Sequence, residues 1–214
     1  SVTVAGSGSG TLTLTGSLAN INAFLADNSS APQFVPVANS SGAVTLTMPT
    51  SDNGNTGSGG ALTDVDTSTI TVNPVNDAPA GANKTLTTNE DTAVTLVANN
   101  FGFTDPNDSP ANSLFAVKIT TLPTAGTLTL DGVAVTADQF IDVADITAGK
   151  LVWAPAANGN GTGYASFTFQ VQDNGGTANG GVDLDQSPNT ITFNVTPVDD
   201  APVDADETTS TPED

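Results

Sequence analysis

The chain has 214 residues, and its 37% hydrophobic content is enough to form the core of one large domain or two small ones. Twenty-three acids against three lysines, with no arginine and no histidine, give a formal net charge of −20, which excludes nucleic acid and other phosphate-bearing partners. The absence of histidine and cysteine removes the side chains that serine triads, cysteine proteases, zinc, haem and iron–sulfur sites require.

Period-two alternation of β-branched and aromatic residues predicts an all-β chain with one short helical element per repeat. The first helix or turn is expected at residues 17–26 and its counterpart at 137–148. The strands are expected, in chain order, at residues 92–97, 115–119, 127–130, 150–153, 166–171 and 190–195. Turn-forming Gly, Asn, Asp and Pro clusters separate them, as in a Greek-key β-sandwich of the cadherin or Ig type. The predicted core consists of Leu151, Trp153, Phe167, Phe169, Val171, Ile191 and Phe193.

The chain contains an internal repeat. The sequence PVNDAP at residues 74–79 returns as PVDDAP at 197–202, and GTLTL at residues 10–14 returns at 126–130. The second match aligns Ser1 with Val117, so the first repeat is expected to lack its opening strands. We therefore predict tandem repeats: residues 1–79 as the later part of one repeat, 80–202 as a complete repeat, and 203–214 as the start of a third.

Acidic and amide side chains recur at the seams between these repeats. Two carboxylates 4 Å apart repel by about 4 kcal/mol at an effective dielectric near 20, so crowded acids need a cation. Ca²⁺ accepts about six to eight oxygen ligands from flexible Asp and Asn loops, whereas Mg²⁺ requires a stricter octahedron. The sequence therefore predicts Ca²⁺ as the bound ion. The candidate ligands at the seams are Asp52, Asp64, Asn76, Asp77, Asp105, Asn107, Asp108, Asp173, Asp185, Asp199 and Asp200.

Several of these motifs resemble the cadherin-like repeats of giant bacterial surface adhesins. They are the VNDAP linker at residues 75–79, the NED turn at 89–91, FTDPND at 103–108 and QDNGG at 172–176. The resemblance covers the whole chain and implies calcium-binding β-sandwiches in a stiff stalk, exported by type I secretion as in RTX-type adhesins. It also implies two shared ligand groups. These are Asp52, Asn76, Asp77, Asp105 and Asn107 at the first seam, and Glu90, Asp173, Asp199 and Asp200 at the second.

These observations predict a non-catalytic, calcium-stiffened extender of a large extracellular adhesin or surface fibre, which serves attachment and biofilm formation at a bacterial cell surface. Its expected partners are neighbouring repeats of the same chain, together with other copies of the chain where a fibre forms. No segment approaches the roughly 20 apolar residues of a membrane helix, so membrane insertion is not expected. A glycosidase is disfavoured because the chain has one Trp and one Tyr with which to bind sugars.

Three alternatives remain open at this point. The acids serve solubility alone and bind no ion. One sandwich recognises a glycan or a protein through its loops. Finally, residues 203–214 of one copy supply the missing strand to residues 1–77 of another, which would build a head-to-tail filament by strand addition.

Overall fold

The computed structural model describes residues 1–54 and 58–201. The chain divides into two compact units, Ser1–Val72 and Asn73–Asp214. The division precedes the PVNDAP linker, so Asn76 and Asp77 belong to the second unit. The predicted start of a third repeat, at residues 203–214, lies outside the described residues.

The first unit is built from two hairpins and a helix. Strands β1 (Thr3–Ala5) and β2 (Thr13–Thr15) pair antiparallel, as do β3 (Gly42–Ser51) and β4 (Thr63–Val72). The helix predicted near residue 17 is confirmed as α1 (Leu18–Ala26), with the Ser17 hydroxyl accepting a hydrogen bond from the Asn20 N–H as its N-cap. None of the described residues of this unit is buried. The described residues of this unit therefore form no hydrophobic core of their own.

The second unit begins with β5 (Lys84–Asn89), β6 (Val94–Thr95), a 3₁₀ turn (Ala98–Asn100), β7 (Leu114–Ile119) and β8 (Thr127–Leu130). It continues with β9 (Val133–Ala134), β10 (Phe140–Asp142), α2 (Val143–Thr147) and β11 (Leu151–Ala154). It closes with β12 (Gly161–Asp173), a second 3₁₀ turn (Ala178–Gly180) and β13 (Asn189–Thr196).

These strands form two sheets, one ordered β10-β7-β12-β13-β5 and the other β6-β11-β8-β9. The pairings are antiparallel, except that β5 runs parallel to β13. The first and last strands of the unit therefore lie side by side. The predicted all-β sandwich is confirmed.

The core of the second unit lies between the two sheets. All seven residues predicted from the alternation are buried, each at most 1% exposed. The Trp153 ring stacks on Phe193 with ring centroids 3.8 Å apart, and its Nε1 donates to the Ala125 carbonyl at 3.2 Å. Trp153 is therefore a core residue and does not present its ring for sugar stacking.

Candidate metal centre

The centre is built around the linker residue Asn76. Its backbone carbonyl accepts a hydrogen bond from the Val182 N–H at 2.9 Å, and its Nδ2 donates to the Val182 carbonyl at 2.8 Å. The same Nδ2 donates to Asp173 Oδ1 at 3.0 Å, while Oδ1 accepts from Asn112 Nδ2. The linker is thus fixed to the sandwich where β12 ends.

Asp173 reaches this position through the alternation of β12. Every second residue of the strand faces the core, from Ala165 through Phe167, Phe169 and Val171, and the last residue of that inward series is an acid. Asp173 is only 1% exposed. Its Oδ1 accepts from the Gly175 N–H at 2.8 Å as well as from Asn76, but its buried Oδ2 has no hydrogen-bond partner.

A second buried acid, Asp105, lies next to this group on the segment after β6. It is 6% exposed, and its Oδ2 accepts from the Asn112 N–H, whereas its buried Oδ1 has no partner. Asp108 lies beside it and accepts the Asp77 N–H at 3.0 Å through Oδ2. The cluster therefore joins the linker, the loop before β7 and the end of β12.

The electrostatics of the cluster are unfavourable without a cation. Burial raises the pKa of Asp105, and the nearby Asp108 and Asp77 raise it further against the lowering effect of the Asn112 N–H. Burial also raises the pKa of Asp173, with Asp105 and Asp183 acting in the same direction and the N–H groups of Gly175 and Asn76 opposing it. Two of the three lysines form ion pairs with other acids, Lys118 with Asp138 and Lys150 with Asp145.

An unpartnered buried carboxylate oxygen costs about 1–3 kcal/mol or more, and this cluster holds two. The donor set consists of hard oxygen atoms, so its chemistry fits Ca²⁺. Within residues 1–54 and 58–201, however, no three acids already stand at the spacing of a metal-binding group. The two buried acids would need further oxygens from the neighbouring side chains or backbone.

The other predicted ligands of the second unit lie in separate places. Glu90 is 5% exposed and accepts the Val198 N–H through Oε1 at 2.6 Å and Asn160 Nδ2 through Oε2 at 2.8 Å. These bonds lower its pKa, the Val198 N–H most strongly. Asp185 is also buried, and its carboxylate accepts from Gly81, Ser187 and Asn189. Asn107, Asp199 and Asp200 are exposed.

Asp52 and Asp64 belong to the first unit. Asp52 Oδ1 accepts from the N–H groups of Gly54 at 2.8 Å and Leu62 at 2.9 Å, which closes the loop between β3 and β4. Asp64 is exposed on β4.

The predicted grouping of the ligands is wrong for Asp173. Asp173 was expected with Glu90 at the second seam, but it hydrogen-bonds to Asn76 of the first group, and its pKa responds to Asp105 of that group. The structural reason is that β12 runs the length of the sandwich and ends where the linker arrives. Asn112 was missed altogether, since no spacing or turn signal in the sequence separates it from the chain's many other asparagines.

A protein-family model described as a bacterial Ig domain matches residues 76–185, just over half of the chain. The chain belongs to the bacterial Ig domain family. The matched segment begins at Asn76 and ends at Asp185, and so includes the whole Asp105–Asp173 cluster. Searches of the curated proteins and of the solved structures returned no match.

Bacterial Ig domains are typically extracellular or exposed at the cell surface, and they are generally non-catalytic. The match supports a bacterial Ig-like or cadherin-like repeat of the kind found in surface proteins. Among the described residues, no helix is long and apolar enough to span a bilayer.

Proposed function

We propose that this bacterial Ig domain chain is a calcium-stiffened extender segment of a large extracellular adhesin or surface fibre. One observation carries the proposal: Asp105 Oδ1 and Asp173 Oδ2 are buried without hydrogen-bond partners in a cluster that also holds the linker residues Asn76 and Asp77. A bound cation would supply the missing partner to both oxygens. Adhesion, biofilm formation and type I secretion are the biological setting that we infer from the sequence resemblance.

Asp105 and Asp173 would be the central ligands, with carboxylates of Asp77 and Asp108 and the Asn76 amide oxygen as the nearest further donors. Asp108 receives the Asp77 N–H, and both acids raise the pKa of Asp105, so they lie in its neighbourhood. Calcium tolerates such an irregular shell, whereas magnesium requires near-ideal octahedral geometry and retains its waters. The ion would neutralise the charge that burial makes costly.

Binding would act mechanically through the linker. An ion held only by the ordered cluster stabilises it by about 2.7 kcal/mol when free calcium is 100 times the Kd. Because Asn76 and Asp77 lie in the segment that follows β4, the same ion would hold that segment against the sandwich of the second unit. In calcium-poor cytosol the site would be empty and the segment unrestrained, whereas calcium outside the cell would bind and restrain it.

The internal repeat suggests a second group of calcium ligands near Glu90. Asp199 and Asp200 are the repeat counterparts of Asn76 and Asp77, and the adjacent Val198 donates its N–H to Glu90. A following repeat with its own counterparts of Asp105 and Asp173 would complete that joint. In such a fibre each sandwich would contribute a buried acid pair at one joint and a Glu at the other.

The test is a comparison of melting temperatures in EDTA and in calcium for the wild type, Asp173→Asn and the matched control Asp131→Asn. Asp131 is exposed and has a positive φ that Asn also tolerates, so the control removes one charge without touching the cluster. We expect calcium to raise the melting temperature of the wild type and of the control by several degrees, and to leave Asp173→Asn unchanged.

In the same experiment, the difference in melting temperature between Asp173→Asn and the wild type should change sign between EDTA and calcium. In EDTA, Asp173→Asn should unfold at the same temperature as the wild type or higher, because it removes a buried charge that lacks a partner. In calcium it should be the less stable protein. Loss of stability by the same amount in both conditions would mean that Asp173 has only a structural role.

A further inference from the structure

The inference concerns Asp185, a buried acid of the second unit that the calcium proposal leaves unused. It is 5% exposed. Its Oδ2 accepts from the Gly81 N–H at 2.9 Å and from Asn189 Nδ2 at 2.8 Å, while Oδ1 accepts from the Ser187 N–H at 2.9 Å. Both oxygens therefore have partners, unlike those of the Asp105–Asp173 cluster. Hydrogen bonds to a charged acceptor are stronger than neutral ones, so this carboxylate favours the folded chain without a cation.

Asp185 is itself fixed to β12 through its backbone. Its N–H donates to the Val171 carbonyl at 2.9 Å, and its carbonyl accepts from Gln170 Nε2 at 2.7 Å. The carboxylate is therefore anchored to the middle strand of a five-stranded sheet. Whatever it binds is held against that sheet.

Its partner Gly81 belongs to residues 80–83, the entry segment, which lies between the linker and β5. A Cβ atom at Gly81 would lie 2.8 Å from Asn189 Nδ2 and 3.3 Å from Asp185 Oδ2. Glycine thus lets the entry segment approach both side chains closely. The contact is a close-fitting one between the incoming chain and the residues just ahead of β13.

The entry segment leads directly into the strand pair. Asn83 Oδ1 accepts the Thr190 N–H at 2.7 Å, and the parallel pairing of β5 with β13 begins one residue later, with Lys84 opposite Ile191. The pairing then continues through six residue pairs to the end of β5. Asp185 therefore closes the end of the strand pair at which the chain enters.

The order of the strands determines how tension would load this pair. The chain enters the second unit ahead of β5 and leaves it after β13, so these are the first and last strands of the unit. Because they run parallel, a pull on both ends of the unit slides one strand along the other. The six residue pairs and the Asp185 bonds then resist together, since the bonds of a parallel ladder are evenly spaced along the strands.

We infer that Asp185 is a metal-independent clasp that resists tension by holding the entry segment against β12 and β13. It keeps the start of β5 from peeling away, so the strand pair bears the load as a whole. The role under tension rests on the proposed extender function, whereas the clasp itself requires neither a fibre nor an ion.

The test is single-molecule force spectroscopy on the full chain in EDTA, at constant load. The chain has no cysteine, so handles can be attached at introduced pairs of exposed positions. Asn73→Cys with Ala201→Cys pulls β5 and β13 along their length. Asn73→Cys with Gln186→Cys pulls the two strands apart from the end at which both begin.

At equal load, the wild type should unfold at least about tenfold more slowly in the lengthwise geometry, because the residue pairs must break together and not one by one. The bonds are the same in both geometries, so only the direction of the load differs. Equal unfolding rates would overturn the inference.

Asp185→Asn tests the clasp directly, with the exposed Asp131→Asn as the charge-matched control. The variant keeps the size of the side chain but turns an amide NH₂ toward N–H donors. In the lengthwise geometry it should unfold about tenfold faster than the wild type, because hydrogen bonds to charged groups are strong. The control should follow the wild type.

In the peeling geometry the effect of Asp185→Asn should be smaller, because there the clasp opens before the strands separate. The milder Asn189→Ala removes one of the donors to Asp185 and should show the same dependence on direction. An effect of equal size in both geometries would mean that Asp185 only supports the fold, and would overturn the inference.

Repeating the series in calcium separates this inference from the calcium proposal. The ratio of unfolding rates between Asp185→Asn and the wild type should be the same in EDTA and in calcium. An effect confined to calcium would show that Asp185 binds the ion and would overturn the clasp. A failure of calcium to stabilise the wild type would leave that ratio unchanged.

Discussion

At the scale of single residues, the buried acids oppose folding in the metal-free protein. The pKa values of Asp105 and Asp173 lie above the ordinary Asp value, so the folded chain binds their protons more tightly than the unfolded chain does. Their contribution to stability is therefore present at low pH and is lost as the pH rises from about 3.8 through the raised values. A cation would remove this penalty at neutral pH.

The pKa of Glu90 is shifted in the opposite direction. Its pKa lies below the ordinary value of 4.5 because the Val198 and Asn160 N–H groups favour the carboxylate. It therefore stabilises the fold above that pH and ceases to do so as the pH falls through its folded value. Glu90→Gln should lower the melting temperature at pH 7 in EDTA, and the deficit should shrink on acidification below about pH 4.5.

The measurement is a series of melting curves from pH 3 to pH 7 for Glu90→Gln and for the charge-matched control Asp66→Asn, which is exposed on β4. The control should follow the wild type across the range. A deficit for Glu90→Gln that stayed constant with pH would show that its hydrogen-bonding shape matters and its charge does not.

At the scale of elements, the side chain of Asn76 connects the linker to the end of β12. Asn76 makes four hydrogen bonds, to Val182 twice, to Asp173 and to Asn112. Asn76→Ala should remove the three that involve its side chain and release the linker from the sandwich. Hydrogen exchange at the Val182 and Asp77 amides should accelerate by about tenfold or more in the absence of calcium.

Asn73→Ala is the matched control for this variant, because Asn73 lies just before the same linker and is exposed. It should leave exchange at both amides unchanged. If Asn76→Ala behaved like the control, the remaining bonds of the linker, such as those of the Asn76 carbonyl with the Val182 N–H and of the Asp77 N–H with Asp108, would suffice to hold it, and the Asn76 side chain would not be needed.

A strand can be predicted from the sequence where burial of one face produces a clear alternation of apolar and polar residues. β7, β8, β11 and β13 were found within one residue of the prediction at each end, because their inward faces alternate clearly. β5 was missed because Lys-Thr-Leu-Thr-Thr-Asn offers one apolar residue, as an exposed edge strand allows. β6 is shorter than predicted for the related reason that it lies at the edge of its sheet and, among the described strands, pairs with β11 alone.

The candidate site was harder to predict than the fold. The repeat pointed to Asn76, Asp77 and Asp105, and the structure brings them together. It gave no indication that Asp173 would join them, since a 13-residue strand spans roughly 40 Å and sequence order does not say which end faces the linker. Position along the chain therefore predicted which residues were candidates but not how they group.

At the scale of the whole molecule, the two units carry copies of the same sequence repeat but differ in how much of it is buried. The described part of the first has no buried residue, whereas the second buries a continuous core that includes Trp153 and Phe193. A net charge of −20 makes the acids gathered at the joints repel one another. Calcium at the joints would relieve this repulsion.

Anomalous diffraction from crystals grown with calcium would show whether a cation binds the unpartnered carboxylates. We expect an anomalous peak roughly 2.3–2.6 Å from oxygens of both Asp105 and Asp173. Only water at that position, with no anomalous signal and each carboxylate satisfied by hydrogen bonds, would contradict it.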